Sequence, residues 1–302
     1  MNDNKNRLFE GLGVALATPF GKDGEIDYDS LGNMVRHCMA GGTDYLVVSG
    51  TTGESVTLSS DEQERIVRHV AAQSEGKARI VIGIGGNDTA DVIRTIRHTD
   101  FTGISGILSV APYYNKPAQK GVTAHFKAIA AQSPVPVILY NIPGRTGINM
   151  TAETTLELAQ EKNIAGIKEA SGMLSQIMAI IAGRPSDFAV ISGDDSLTLP
   201  LIALGGNGVI SVAANAFPRQ MSMLVKEALA GRMEQARAMH YELLPLFEAQ
   251  MADGNPAGIK AALHLLGKAE NILRLPLVPV SPQTYKRIEC IIQQILSSDF
   301  NT

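Results

Sequence analysis

The sequence contains few cysteines and no long apolar run. Only two cysteines, Cys38 and Cys290, occur among its 302 residues, too few for a disulfide framework and typical of a reducing compartment. No stretch reaches the roughly 18 uninterrupted apolar residues that a membrane helix needs. The opening residues MNDNKNRLFE lack the apolar region of a signal peptide. These absences predict a cytoplasmic protein without a membrane anchor.

A strong charge of one sign is absent as well, and so are the usual metal motifs. The formal net charge is -4, whereas nucleic-acid binding needs clustered Lys and Arg. The six histidines form no HxH or HExxH pair, and residues 83–91 lack the GxGxxG spacing of a dinucleotide loop. Asp194 and Asp195 are adjacent in a predicted strand and would point to opposite faces. We therefore predict no metal, no organic cofactor and no nucleic-acid partner.

Short apolar runs recur along most of the chain. They are nearly continuous rather than alternating, which is typical of strands that are covered on both faces. Helical patterns separate them, such as SSDEQERIVRHVAAQ with its polar first turn. The runs span residues 14–20, 44–50, 79–86, 105–112, 135–143, 164–171, 188–195 and 207–215.

The repeated order of strand and helix predicts an α/β fold with a parallel sheet. Eight units favour closure into a (β/α)8 TIM barrel, with an open Rossmann-like sheet as the alternative. After residue 231 the strand-like runs stop and helical patterns continue. We predict a catalytic barrel over residues 1–231 and a C-terminal helical appendage over residues 232–302.

Chemistry in such barrels is found at the carboxyl ends of the strands, where Lys168 is the most unusual residue. It follows Ile164–Ile167, a run that should be buried. Burial disfavours the charged form of a lysine, and a neutral amine is what a Schiff-base nucleophile requires. The alternative is a lysine that reaches solvent or pairs with Glu169.

Other polar groups also follow predicted strands. Tyr140 and Tyr114 could carry protons between an amine and a substrate, or simply pack. The turn Gly50–Glu54 could hold a carboxylate through its N–H groups and hydroxyls, or be an ordinary loop. Arg145 suits a substrate carboxylate, although a solvated arginine is the usual alternative. These groups are concentrated at one end of the predicted barrel, and the residues by themselves leave both interpretations of each open.

Three segments resemble the signatures of the dihydrodipicolinate synthase family, within the N-acetylneuraminate lyase superfamily of class I aldolases. They are GTTGE at 50–54, YNIPGRT at 140–146 and GIKEAS at 166–171. The resemblance extends over essentially the whole chain. It implies that the protein condenses pyruvate with L-aspartate 4-semialdehyde, an early step of diaminopimelate and lysine biosynthesis.

The resemblance also implies roles for individual residues. Lys168 matches the lysine that forms the imine with pyruvate, and Tyr140 matches the proton donor and acceptor. Thr51 and Tyr114 match the remaining members of the proton relay. The residues that match the substrate pocket are Thr52 and Ile210 as pyruvate contacts, Gly193 in the pocket wall, and Arg145 as the group that holds the carboxylate of the semialdehyde.

Members of this family are usually homotetramers built from tight dimers, in which Tyr114 would complete the relay of a neighbouring subunit. Some are inhibited by lysine at the dimer interface. Asn87 and Tyr113 fit that site, whereas Ser60 and Gln63 stand where lysine-sensitive members often have histidines. These departures leave lysine inhibition open. The residues of this sequence at the possible allosteric site are Ser55, Val56, Ser60, Gln63, Asn87, Asp91 (in place of a glutamate) and Tyr113.

Two alternative functions remain. Another pyruvate-dependent aldolase, such as N-acetylneuraminate lyase or a 2-keto-3-deoxy sugar acid aldolase, would share the lysine and the tyrosine. Such enzymes usually lack Arg145 in its YNIPGR context and the GIKEAS segment. The second alternative is a catalytically dead barrel that binds a keto acid as a sensor. The presence of every relay residue favours the synthase over that alternative.

Overall fold

A computed structural model of the chain describes residues 8–298. Residues 1–7 and 299–302 lie outside the described residues. The prediction that the chain opens without a signal peptide falls largely on the first of these segments. The outer limits of the two predicted regions, residues 1 and 302, fall outside as well.

Eight parallel strands form a closed barrel in chain order, because the first strand pairs with both the second and the eighth. This confirms the predicted barrel over the open sheet. The strands are β1 Gly11–Ala15, β2 Tyr45–Val48, β3 Arg79–Gly83, β4 Ile104–Val110, β5 Val137–Asn141, β6 Ile164–Glu169, β7 Ala189–Ser192 and β8 Gly208–Ser211.

Helices follow the strands and form the outer layer. The second helix begins with a capping box, in which the Ser59 hydroxyl accepts from the Glu62 N–H and the Glu62 carboxylate accepts from the Ser59 N–H. The helices are α1 Tyr28–Ala40, α2 Ser60–Ser74, α3 Thr89–His98, α4 Gln119–Gln132, α5 Pro143–Thr146, α6 Ala152–Leu158, α7 Leu174–Gly183, α8 Thr198–Ala203, α9 Pro218–Leu229, α10 Met233–Ala249, α11 Ala257–Leu265 and α12 Pro282–Leu296.

The C-terminal appendage consists of α10, α11 and α12, as the sequence predicted. Helix α10 packs against α8 and α9 of the barrel, and α12 packs against both α10 and α11. The appendage therefore shares a buried surface with the barrel. The division of the chain at residue 231 stays a prediction.

The first strand lies earlier than predicted. The apolar run suggested residues 14–20, but β1 ends at Ala15, and the buried residues after it belong to a loop. The Asn215 side chain takes the place of the sheet there, because its amide donates to the Ala15 carbonyl at 2.8 Å and accepts from the Ala17 N–H at 3.0 Å. A buried loop with satisfied backbone groups gives the same apolar pattern as a buried strand.

The strands separate two layers of apolar side chains. Along β2, Leu46 and Val48 belong to the outer layer beneath the helices, whereas Tyr45 and Val47 fill the barrel interior. This alternation explains why the strands read as continuous apolar runs. The interior cluster consists of Phe9, Ala15, Tyr45, Val47, Val81, Leu108, Ile138, Tyr140, Ala165, Ala189, Ile191 and Ile210.

A register shift in β6 decides which way Lys168 points. The pairing between β5 and β6 skips Ala165, which has no partner on β5. An extra residue of this kind shifts the alternation of side chains along its strand by one position. Lys168 then pairs with Tyr140 on one side and Ile191 on the other, both members of the interior cluster. Its side chain therefore enters the barrel rather than the helical layer.

Candidate active site

Lys168 lies inside the barrel at the carboxyl end of β6. Its side chain is only 5% exposed, and its Nζ lies 4.3 Å from the ring centroid of Tyr140, which is also buried. Because the side chain is buried, the amine does not reach solvent. Within residues 8–298 it takes part in no ion pair, so it does not pair with Glu169 either. An amine without a counter-ion beside a phenol is suited to nucleophilic attack and proton exchange.

Glu169 occupies the opposite face of β6 and forms a separate buried cluster. Its carboxylate accepts hydrogen bonds from the Asn141 amide at 3.1 Å, the Gln176 amide at 3.2 Å and the Ser171 N–H at 2.7 Å. All of these donors are neutral. The cluster connects the ends of β5 and β6 to α7, so it holds in place the backbone that carries Lys168.

Gly193 forms the wall beside Lys168. A Cβ atom at this position would lie 2.8 Å from the Ala170 Cβ and 3.0 Å from the Lys168 Cε, well inside van der Waals contact. Only glycine leaves room for the lysine side chain here. Ile210 on β8 is fully buried in the same interior cluster. The predicted pocket residues therefore lie at the same end of the barrel as Lys168.

The loop after β2 presents a group of unused donors. The N–H groups of Thr51 and Thr52 donate no hydrogen bond to the described part of the chain. The hydroxyl of Thr18 fixes the loop by donating to the Gly53 carbonyl at 2.7 Å. Successive free N–H groups of this kind bind anions. The use of this turn as a carboxylate site stays a prediction.

A buried ion pair anchors the same loop to the appendage. Glu54, with a left-handed φ of 54°, pairs with Lys260 of α11, and both side chains are almost fully buried. The Lys260 amine also donates to the Ile272 carbonyl at 2.8 Å and lies 4.1 Å from the ring centroid of Phe20. Burial lowers the pKa of Lys260 to about 8, against the opposing effect of Glu54. Sequence reasoning missed this pair because its members are far apart in the chain.

Asn255 is a second residue that the sequence did not reveal. Its side-chain amide donates to the Thr52 hydroxyl at 3.0 Å, and its backbone carbonyl accepts from the Arg145 guanidinium at 3.1 Å. Arg145 itself is exposed on α5. No local pattern marks Asn255, which stands in the loop between α10 and α11, and only the closed fold brings it to the site.

The structure does not bring Tyr114 to the site of its own chain. Its side chain is 88% exposed, and its backbone has a left-handed φ of 74°, which is rare for a bulky residue. The Tyr140 hydroxyl and Thr51 are not joined by a hydrogen bond in the described structure. The three predicted relay residues are therefore not assembled within a single chain.

The possible allosteric residues fall into small contact groups. The Asn87 amide donates to the Tyr113 carbonyl at 3.1 Å, and the Gln63 amide donates to the Ser55 carbonyl at 3.1 Å. Val56 is 86% exposed and contributes an apolar surface next to Ser55. These contacts keep the loops after β2, β3 and β4 in defined positions.

Asp91 and Ser60 take no part in these contacts between loops. The Asp91 carboxylate pairs with Arg94 one turn further along α3, so it is already engaged within its own helix. Ser60 is exposed at the start of α2. Neither side chain makes a contact in this structure that would mark it as part of a preformed ligand site.

The described part of the chain holds neither a cluster of metal-ligating side chains nor a helix suited to a membrane. Residues 8–298 contain no group of three or more His, Cys, Asp or Glu side chains that could hold a metal ion. Across the same residues, every helix is too short or too polar to cross a membrane.

Asp195, the buried member of the acidic pair, accepts hydrogen bonds from the N–H groups of Val212 and Ala213 and from the Gln250 amide.

The fold and the site define a (β/α)8-barrel enzyme with a buried lysine as its candidate nucleophile. Residues 8–295 match the model of the Dihydrodipicolinate synthetase family, and the chain belongs to that family. It is 50% identical over 287 residues to the 4-hydroxy-tetrahydrodipicolinate synthase of Parabacteroides distasonis, with 95% of this chain and 97% of that protein covered.

Solved structures are similar over almost the same length. Dihydrodipicolinate synthase from Aquifex aeolicus superimposes with a TM-score of 0.92 at 41% identity and covers 95% of this chain and 98% of its own. DHDPS from Cyanidioschyzon merolae with lysine bound gives a TM-score of 0.91 at 42% identity, again covering 95% of this chain and 98% of its own. The appendage is therefore included in the similarity.

Proposed function

We propose that this protein condenses pyruvate with L-aspartate 4-semialdehyde, the activity of 4-hydroxy-tetrahydrodipicolinate synthases, as a cytoplasmic enzyme of diaminopimelate and lysine biosynthesis. The observation that carries the proposal is the buried Lys168 amine, which has no counter-ion in the described structure and lies beside the Tyr140 ring. Family membership and the anion-binding loop at Thr51 and Thr52 support the same assignment.

In the first half of the reaction, the Lys168 amine attacks the keto carbon of pyruvate. The carbonyl oxygen leaves as water, and an iminium forms between the nitrogen and that carbon. The positive iminium accepts the electron pair of a methyl C–H bond, so the methyl group loses a proton and becomes an enamine. We assign Tyr140, whose ring lies beside the Lys168 amine, the role of accepting and returning these protons.

In the second half, the enamine carbon attacks the aldehyde carbon of the semialdehyde, and a carbon–carbon bond forms. The aldehyde oxygen takes up a proton and becomes a hydroxyl. The amino group of the semialdehyde then attacks the iminium carbon, which releases Lys168 and closes the ring. We assign Arg145, whose guanidinium also donates to the Asn255 carbonyl, the role of holding the carboxylate of the second substrate.

The experiment that tests the first half is reductive trapping. The protein is incubated with pyruvate and borohydride, and the adduct is mapped by mass spectrometry. We expect a single adduct on Lys168 and none in a Lys168→Ala variant. Lys260 is an internal control, because it is equally buried but held by Glu54. An adduct on Lys260, or no adduct at all, would contradict the proposed mechanism.

A second assay separates the synthase from other pyruvate aldolases. Aspartate semialdehyde and sugar aldehydes are compared as acceptors at saturating pyruvate. We expect turnover with the semialdehyde and a large loss of its kcat/KM in Arg145→Ala. Turnover with sugar aldehydes alone would assign the protein to the lyase branch, and imine formation without turnover of any acceptor would indicate a keto-acid sensor.

We also propose that Tyr114 acts in the site of a neighbouring subunit, in a homotetramer assembled from dimers. Its high exposure and left-handed backbone support this, since an isolated chain gains nothing from presenting a tyrosine in that way. The test mixes two inactive variants, Tyr114→Phe and Lys168→Ala, and allows subunits to exchange. If the tyrosine acts across a two-fold interface, mixing restores up to about a quarter of wild-type activity. Mixtures that stay inactive while subunits exchange would contradict this arrangement.

A further inference from the structure

We infer that Asn255, supplied by the C-terminal appendage, is a positioning residue that turns the Thr52 hydroxyl toward the carboxylate of the bound keto acid. The inference rests on the proposed function of the site. It assigns the appendage a part in substrate binding, although the candidate nucleophile and phenol both come from the barrel.

The direction of one hydrogen bond carries the argument. A threonine hydroxyl has a single hydrogen to donate and two lone pairs that accept. The Asn255 Nδ2 group donates to the Thr52 hydroxyl oxygen at 3.0 Å, so this nitrogen occupies a lone pair and cannot receive the hydroxyl hydrogen. The Asn255 Oδ1 atom has no hydrogen-bond partner in the described structure, so it does not receive that hydrogen either. In the described part of the chain the Thr52 hydroxyl donates to no other group. Its hydrogen is therefore available to a ligand.

The surroundings of Thr52 specify which ligand would use that hydrogen. The N–H groups of Thr51 and Thr52 are unused donors in the same loop, and two N–H groups with one O–H group match the oxygens of a carboxylate. Thr52 is only 2% exposed and Asn255 only 8%. Hydrogen bonds to a charged group in such a dry site are stronger than those at the surface.

Two further contacts fix the geometry of this pair. Lys260 follows Asn255 closely in the appendage and pairs with Glu54, which follows Thr52 closely in the loop. The backbone carbonyl of Asn255 accepts from Arg145. Asn255 thus meets the two proposed carboxylate-binding groups through different atoms, the side chain for Thr52 and the main chain for Arg145. A substitution of the Asn255 side chain should affect only the contact with Thr52.

The test measures pyruvate binding through imine formation. Asn255→Leu is nearly isosteric and removes the donor, and Asn255→Ala serves as a second variant in case the leucine disturbs folding. We expect the pyruvate concentration for half-maximal borohydride trapping at Lys168 to rise roughly 10- to 100-fold, the effect of weakening one hydrogen bond to a charged group. The KM for the semialdehyde should stay close to the wild-type value because the Arg145 contact goes to the backbone.

Substitutions at Thr52 separate positioning from general structural damage. In a Thr52→Val background, which has no hydroxyl to orient, removing the Asn255 side chain should have no further effect on pyruvate binding. In a Thr52→Ser background, which keeps the hydroxyl, the effect should persist. Melting temperatures of all variants are recorded alongside.

Two results would overturn the role of Asn255. The first is an unchanged pyruvate dependence in Asn255→Leu and Asn255→Ala. The second is an equal loss in the Thr52→Val background. A wild-type protein that forms no adduct on Lys168 would instead contradict the proposed function, and this inference with it. The two failures are therefore distinguished by the wild-type control.

Discussion

Gly193→Ala perturbs the candidate nucleophile without removing any functional group. The added methyl carbon would lie 2.8 Å from the Ala170 Cβ, 3.0 Å from the Lys168 Cε and 3.1 Å from the Lys168 Cγ. Carbon atoms pack at about 3.5 to 4.0 Å, so the lysine stem must move by roughly 0.5 to 1 Å. Such overpacking costs about 1–3 kcal/mol of unfolding free energy. A misplacement of about 1 Å in a reacting group can lower the rate roughly 100-fold.

The two magnitudes are measured separately. Urea unfolding followed by circular dichroism gives the change in stability, and the rate of borohydride trapping with pyruvate gives the effect on Lys168. We expect a small loss of stability together with a large loss of trapping rate. Gly121→Ala on α4 is the matched control, because it adds the same methyl to an exposed glycine away from the site, where the added carbon would lie 3.1 Å from the Pro117 Cβ and touch no part of Lys168. A Gly193→Ala variant that traps pyruvate at the wild-type rate would refute the argument that Gly193 fixes the lysine.

Three further predictions concern buried polar groups. Lys260→Met leaves Glu54 buried without its partner, and we expect a loss of about 3–5 kcal/mol in urea unfolding. Glu169→Ala removes the charged acceptor of the Asn141 and Gln176 amides, which keep only the Asn149 side-chain oxygen and the Met150 carbonyl, and a loss of roughly 1.5–3 kcal/mol is expected in the same assay. Burial lowers the pKa of His125 to about 4 from its ordinary 6.5, so the unfolded chain binds a proton between these pH values that the native protein does not. The free energy of unfolding should therefore decrease as the pH drops from 6.5 to 4, and His125 should account for about 3 kcal/mol of the decrease. The His125→Leu variant should lack this contribution.

Each of these predictions has a clear contradicting result. Adding Glu54→Gln to Lys260→Met should recover part of the lost stability, and a double variant no more stable than the single one would argue against an uncompensated charge. A Glu169→Ala protein as stable as wild type would show that Asn149 and Met150 are sufficient acceptors for the two amides. Parallel pH profiles for wild type and His125→Leu would mean that the pKa of His125 is the same in the native and the unfolded protein.

The sequence alone determined the number and order of the barrel strands. Parallel strands buried on both faces must be apolar at nearly every position, and this pattern can be read without knowing the fold. The same argument misplaced β1, because a loop whose backbone is satisfied by Asn215 can be buried as thoroughly as a strand. Apolar runs report burial, and burial does not distinguish a strand from such a loop.

The candidate nucleophile could be found from the sequence, but its direction could not. A lysine after an apolar run is unusual by itself, and its neighbours in the GIKEAS segment add to the signal. Whether it faces the interior depends on the unpaired Ala165, a register shift that arises only when β5 and β6 pair. One residue more or less in that strand would direct Lys168 toward the helices.

The contacts from the appendage were decided by tertiary structure alone. Lys260 stands in a segment whose local pattern is helical and Asn255 in the loop before it, and nothing within a few residues distinguishes either from other polar positions. They meet Thr52 and Glu54 because α11 and the loop before it pack against the loop after β2. Sequence patterns record the local periods of helices and strands, whereas a hydrogen bond between distant residues depends on the packing of the whole molecule.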